Sequence, residues 1–329
     1  MFLFFSCRHE QISLQGNAHN YATGVFVVNQ GTFSLPGSIT WHNPETGETV
    51  ADIYGSANGG ALLGQFVQSL AFLDDKAYIV VNGANKIVVA NATTFSFIDT
   101  IGGLALPRYL IRAGNGFAYV SQWGADGLTG SLAKVDLATR KVVGTIPTGN
   151  GPEQMILRDD HTLLVANSGG YGVDSTVSVI DLTTGTETAR LPVHAKNPCC
   201  VSQTHFGTPY YLVLCSGSYL DAVPGGRLVS LDNGTGYDLP PYGSGMASTS
   251  TSVYACAGGS IYQLDASGFH LFVVQPAYCI NVSDKTGDLF CGDAKDFSTT
   301  GTVAIYHSNG QPVSTFQAGI APGQILLRE

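Results

Sequence analysis

Seven times along the chain one β-rich signature returns, and a unit repeated that often leaves few folds open. A run of aromatic or aliphatic residues closing on a small or polar one recurs at Val25–Asn29, Ala77–Asn82, Ala118–Gln122, Leu163–Asn167, Tyr211–Cys215, Val253–Cys256 and Leu289–Cys291. After a loop of variable length, each is followed by an alternating stretch: Ile39–Asn43, Ile87–Asn91, Leu132–Asp136, Val177–Asp181, Leu228–Asp232, Ile261–Asp265 and Val303–His307. All but the last of these end in Asn or Asp, whose side chains hydrogen-bond the backbone two residues on and open a turn. Thr-Gly follows, as in Thr46-Gly47 and Thr184-Gly185. A further short strand such as Val142–Ile146 comes next, and then a proline corner, as in Pro107-Arg108-Tyr109, Pro152-Glu153-Gln154 and Pro198-Cys199-Cys200.

Four strands per repeat of about 36 to 52 residues is the arithmetic of a propeller blade. The fold expected is an all-β, seven-bladed β-propeller with four antiparallel strands per blade. The 329 residues would also allow two ordinary domains, but the repeats favour one closed ring. Gln324–Arg328 reads as an innermost strand with no blade after it, while the first copy, at Val25, starts on a second strand. The C-terminal strand is therefore expected to complete blade one and leave no open sheet edge. The propeller is assigned to residues 22–329.

Residues 1–21 are assigned to a signal remnant and tether. Met1-Phe2-Leu3-Phe4-Phe5-Ser6-Cys7 looks like the tail of a bacterial lipoprotein signal, in which cleavage before Cys7 exposes a thiol for acylation. The basic n-region is absent, so the expectation includes a longer signal upstream. A chain lipidated at Cys7 would be membrane-anchored, and Glu10, the one acidic residue just after it, leaves open the choice between cell surface and periplasmic face. No apolar run approaches the roughly 18 residues that span a bilayer. Net charge −9 without any Lys/Arg cluster argues against binding nucleic acid.

In a propeller, the loops from second to third strand share a face with the corners entering the first strands, and function tends to sit in such loops. Five of the former are long, and each carries an aromatic: Phe33, Trp123, Tyr171, Tyr219 and Phe297. An aromatic, weakly charged mouth suits a bulky planar ligand or a protein, because Tyr and Trp offer large contact area at small entropic cost. The corner residues Gln68, Tyr109, Gln154, Cys200, Ser244, Tyr278 and Gln324 are expected to ring the central channel, the glutamines either facing it or tying neighbouring blades. Arg108 is the best cationic contact on this face, with Asp293, Lys295 and Asp296 adding mixed polarity. The ligand-binding set is thus Phe33, Arg108, Tyr109, Trp123, Tyr171, Tyr219 and Phe297.

Signatures of catalysis are missing: no Gly-x-Ser-x-Gly elbow, His-Glu-x-x-His, Walker loop or EF-hand occurs. His307 occupies the turn slot held by Asn or Asp elsewhere, and His42 falls on a packing position. Asp136, Asp181, Asp232 and Asp265 fall one per blade, about 50° apart around a seven-fold ring, whereas paired acid–base work needs carboxylates within about 10 Å. A non-enzyme with no metal and no resident cofactor is expected. Besides Cys7, every cysteine lies beyond residue 198. Cys200 with Cys215, and Cys279 with Cys291, fall near cross-strand register, so each pair reads either as a disulfide or as two buried thiols.

Gly24–Gly31, Pro107-Arg108-Tyr109, Tyr119–Gly124, Gly149–Gln154 and Val177–Leu182 together resemble the YncE-like, YVTN-type propellers found as lipoproteins in Bacteroidetes. The resemblance spans nearly the whole chain. It is similar in particular to the BtuG-type branch, and this implies a monomeric surface lipoprotein that captures cobalamin or another corrinoid for a TonB-dependent outer-membrane transporter. The alternatives are a cell-envelope interaction scaffold or adhesin, and a lactonase- or quinoprotein-like enzyme needing a metal or cofactor in the channel.

Overall fold

The computed structural model of the protein describes residues 19–114, 116–205, 209–218, 221 and 225–329. Cys7 and most of the tether fall outside them, as does Tyr219. Among the described residues the strands form seven four-stranded antiparallel sheets arranged as a β-propeller. The second strand of each blade, such as Lys76–Val81, Phe117–Gln122 or Thr162–Asn167, is buried along nearly its whole length. Neighbouring blades cover both of its faces, so it reads as a continuous apolar run rather than an alternating one. Outermost strands such as Lys141–Pro147 and Thr186–Pro192 are mostly exposed. No helix among the described residues is long and apolar enough to cross a membrane.

The ring closes through the chain's own end. Pro322–Arg328 pairs antiparallel with Gly24–Asn29, setting Leu326 opposite Phe26 and Ile325 opposite Val27. Buried apolar clusters lie between neighbouring blades all the way round, and one joins the last blade to the first through Phe290, Val303 and Phe316 against Val25, Val27 and Ile325. Arg328 is pinned over Phe72 at 4.4 Å and donates to the Ala92 carbonyl at 2.6 Å, which ties the terminal strand to blade two. Tyr21, assigned to the tether, packs inside the propeller instead. Its ring meets Trp41 and Phe95 edge-on, and its amide donates to the Thr93 carbonyl at 2.8 Å.

The polar residue closing four of the second strands acts as a clamp. Asn29 Nδ2 donates to Thr40 Oγ1 at 2.9 Å and Ser38 Oγ at 3.1 Å, while its Oδ1 accepts from the Gly319 amide of blade seven. Asn167 donates likewise to Thr176 and Ser178, Gln122 to Ser131, and Asn82 to the Pro107 carbonyl of the next blade. The turn-opening carboxylates behave as their sequence suggests at Asp136, Asp181 and Asp265, each accepting a backbone amide two residues on. Asp232 departs from this: it accepts the Tyr211 amide, and Ser230 opens that turn. His42 stacks face to face on Phe316 at 4.0 Å, and burial holds its pKa below the usual imidazole range.

The described cysteines are free thiols, so of the two readings of each pair the structure has the buried thiols and not the disulfide. Cys200 lies opposite Leu214, not Cys215, and Cys279 lies opposite Gly292, not Cys291. Side chains alternate across a strand, so a register offset of one residue sends paired sulfurs to opposite faces. Cys200 packs between blades five and six, while Cys215 packs between blades four and five.

Candidate functional site

The site is built by a bulge. Where the innermost strand begins, one extra residue interrupts pairing with the second strand, between Val67 and Ser69, Pro107 and Leu110, Pro152 and Met155, and Pro198 and Cys200. A bulged residue leaves the ladder and re-aims its side chain. In these four blades the residues so placed include Gln68, Arg108, Glu153 and Cys199, and all four line a cavity of about 730 Å³ at the mouth of the central channel. Blade one has the same bulge between Pro322 and Gln324, where Gly323 reaches the wall, whereas blades six and seven have none and contribute Ser244 and Tyr278.

At one side of the cavity stands a buried ion pair. Arg108 Nε lies 3.0 and 3.1 Å from the two Glu153 carboxylate oxygens, and Nη1 donates to Gln68 Oε1 at 2.5 Å. The Trp123 ring covers the guanidinium at 4.3 Å, a cation–π contact. Burial works against the charge of Arg108, but the Glu153 carboxylate outweighs it and raises the pKa, so the guanidinium stays protonated. Burial raises the Glu153 carboxyl, opposed by Arg108 and by the nearby Trp123 indole and Ser168 hydroxyl. Burial and Glu153 push the Tyr109 phenol far above its ordinary range, so it stays neutral, and its oxygen accepts from Gln68 Nε2 at 3.4 Å. On the opposite side Tyr278 and Phe297 meet edge-on at 5.0 Å. The result is a net-neutral wall of amides, phenols and aromatic faces, with Asp293 and Lys295 at its edge.

Of the sequence-predicted set, Arg108, Tyr109, Trp123 and Phe297 come together here, with Gln68 and Tyr278 of the channel ring. Two loop aromatics do not. Phe33 is 89% exposed and rests edge-on against Phe66, away from the cavity. Tyr171 folds back over the blade-three loop and meets Trp123 edge-on at 5.6 Å. Its ring lies where a Cβ on Gly127 would go, and Gly127 also has φ +70°, so that position favours glycine twice over. Gln154 and Gln324 line a narrower cavity deeper in the channel, beneath Tyr109, and Gln324 Oε1 accepts the Leu70 amide of blade two at 2.8 Å. Arg108 is no free cation, because Glu153 already neutralises it. Glu153 was missing from the sequence-based set, which took the second residue after each corner proline; the bulge selects the first. A signal existed: opposite charges follow Pro107 and Pro152, at equivalent places in adjacent repeats of a chain only 12% charged.

Residues 23–197 match the family described as Domain of unknown function (DUF5074). The chain belongs to the DUF5074 family. The matched stretch ends one residue before the innermost strand of blade five, Pro198–His205. No curated protein matches the sequence. Among solved structures, the DUF5074 chain is similar to a quinonprotein alcohol dehydrogenase-like protein of Bacteroides thetaiotaomicron, at 16% identity and TM-score 0.68 over 94% of this chain and 79% of that one. A functionally unknown protein of Desulfotomaculum acetoxidans aligns at 14% identity and TM-score 0.65, over 93% and 98% of the two chains. Kuenenia stuttgartiensis hydrazine synthase aligns at 17% and 0.61, over 81% and 88%. At such identities the likeness is one of fold. Among the described residues no three His, Cys, Asp or Glu side chains gather as a metal site would need.

Proposed function

We propose that this propeller is a binding protein that works without chemistry, and that it takes a bulky, planar, partly apolar ligand in the channel-mouth cavity. The observation that carries this reading is the cavity itself, whose wall combines Trp123, Tyr278 and Phe297 with the amides of Gln30 and Gln68 around a neutralised Arg108–Glu153 pair. Its volume falls within the roughly 300–1,000 Å³ of small-molecule sites. Aromatic faces supply area, the amides orient a ligand rimmed with amide groups, and a net-neutral wall discriminates against phosphates. A corrinoid, a flat macrocycle with peripheral amides, has that chemistry and is the ligand proposed. In keeping with the likeness to lipoprotein propellers, the protein is proposed to be a monomer anchored through Cys7 at the outer membrane, on the cell surface or the periplasmic face, handing its cargo to a TonB-dependent transporter.

Gel filtration of the purified protein with cyanocobalamin tests this: co-eluting corrinoid absorbance is expected, and no retention at micromolar ligand removes the corrinoid. Trp123→Ala should weaken binding at an unchanged melting temperature, whereas a parallel loss of stability returns Trp123 to a packing role. The second reading, a scaffold that docks protein on the same face, is favoured by the exposed Phe33 and Tyr171 outside the cavity. A partner recovered by pull-down from envelope extracts and lost in a Phe33→Ser/Tyr171→Ser variant would support it.

A further inference from the structure

Six described thiols lie in blades five to seven, and one pair is set apart by geometry. Cys200 Sγ donates to Cys199 Sγ across 3.7 Å, although the two residues are neighbours in one strand. In a regular strand adjacent side chains leave opposite faces, which would carry the two sulfurs apart. Here Cys199 is the bulge residue, unpaired between Pro198 and Cys200, and the kink swings its side chain to the side Cys200 occupies. Asn197, at φ +58°, starts the kink. Cys199 is half-buried and lines the cavity, with its sulfur 3.4 Å from the Leu214 carbonyl and 3.6 Å from that of Gly243. Cys200, Cys215, Cys256, Cys279 and Cys291 are each no more than 4% exposed.

We propose that Cys199 and Cys200 form a reversible vicinal thiol–disulfide site in the cavity wall, oxidised by exchange with a small soluble disulfide. The Cys199 thiolate attacks one sulfur of the small disulfide, forming a mixed disulfide and releasing one small thiolate. The Cys200 thiolate then attacks Cys199 Sγ, closing the ring and releasing the second. The chain gives up two electrons and two protons, and the small disulfide is reduced to two thiols. The order follows from access and from charge: Cys199 faces the cavity, while its neighbour's sulfur and burial hold the Cys200 thiol well above the usual range. Neighbouring Cα atoms stand about 3.8 Å apart, closer than the roughly 4.4–6.8 Å of ordinary disulfides. The ring is therefore strained and readily reduced, as labile rather than structural disulfides are.

The test is to incubate the full chain with excess glutathione disulfide, alkylate the remaining thiols under denaturing conditions, and map the modification by mass spectrometry. Trypsin with chymotrypsin separates Cys199 and Cys200 from Cys215 by cutting between Lys196 and Asn197 and at Phe206 or Tyr211. The expected result is loss of two alkylatable thiols, both at Cys199 and Cys200, with no retained glutathione and full recovery after dithiothreitol. Cys200→Ser should stop at a glutathione adduct on Cys199, and Cys199→Ser should not react. If neither variant folds, the wild-type map decides alone. Protection of any other pair, a persistent adduct on wild-type Cys199, or no reaction at either residue overturns the proposal.

Discussion

Blades one to four and blades five to seven solve the same packing problem with different chemistry. In the first group the second strand ends in Asn29, Gln122 or Asn167, or is followed directly by Asn82, and the amide clamps the adjacent strand or the next blade. In the second group Cys215, Ala257 and Asp293 occupy that slot. The small buried residues Cys215 and Ala257 gain stability from burial alone, which is non-directional. A hydrogen-bonded amide adds geometry, because a donor left without its acceptor in the interior is costly. The lesson is that the propeller tolerates loss of its clamps where apolar packing persists, and that the cavity draws on both groups: the buried Arg108–Glu153 pair comes from the clamped blades, the thiols and Tyr278 from the others.

The seam between the two groups is the place to break this picture most severely. Ending the chain at Ala321 removes the innermost strand of blade one and leaves the edge of Gly24–Asn29 unpaired. Cooperative thermal unfolding by circular dichroism is expected to disappear, and a melting curve unchanged from the full chain would refute closure. Next in size is Glu153→Ala, which leaves Arg108 charged and unpaired where its side chain is 17% exposed. A loss of about 3 to 5 kcal/mol in urea unfolding is expected, with the joint change Arg108→Met/Glu153→Leu close to wild type. Equal destabilisation by both would show that the pair is held for stability itself.

Smaller again is the contrast of clamps. Asn167→Ala removes the amide donor shared by the Ser178 and Thr176 hydroxyls and should cost about 1 to 3 kcal/mol, whereas Cys215→Ala, which removes one buried sulfur, should cost about 1 kcal/mol. Equal losses would erase the distinction between the two groups. The last effect is read only at alkaline pH, at a cysteine of blade six. Burial pushes the Cys256 thiol up to about 11 from an ordinary 9. The unfolded chain ionises first, so this stability is present in full below pH 9 and is lost as pH rises to 11. The melting temperature should fall across that window in wild type and fall less in Cys256→Ala, and identical slopes would remove Cys256 as a contributor.

Strand order, blade number and the closing strand were legible because each rests on a local pattern repeated seven times, where an error in one copy is corrected by the rest. Half of the site was legible for the same reason: Arg108, Tyr109, Trp123 and Phe297 sit in repeat-equivalent corners and loops. Phe33 and Tyr171 were not separable from Trp123 by sequence. All three are loop aromatics, and only the path of each loop decides which ring turns toward the channel and which lies against Phe66 or over Gly127.

The sequence by itself determined the ring, because apolar runs buried on both faces and spaced by turn residues have no other way to hide seven sheets. What only the tertiary structure decided was a matter of single-residue register. One extra residue after the corner proline puts Glu153 rather than Gln154 against Arg108, and brings Cys199 to Cys200 while Cys215 faces another blade. Side-chain direction in a strand has a period of two, so a shift of one residue, invisible in composition and pattern, reverses what each side chain meets.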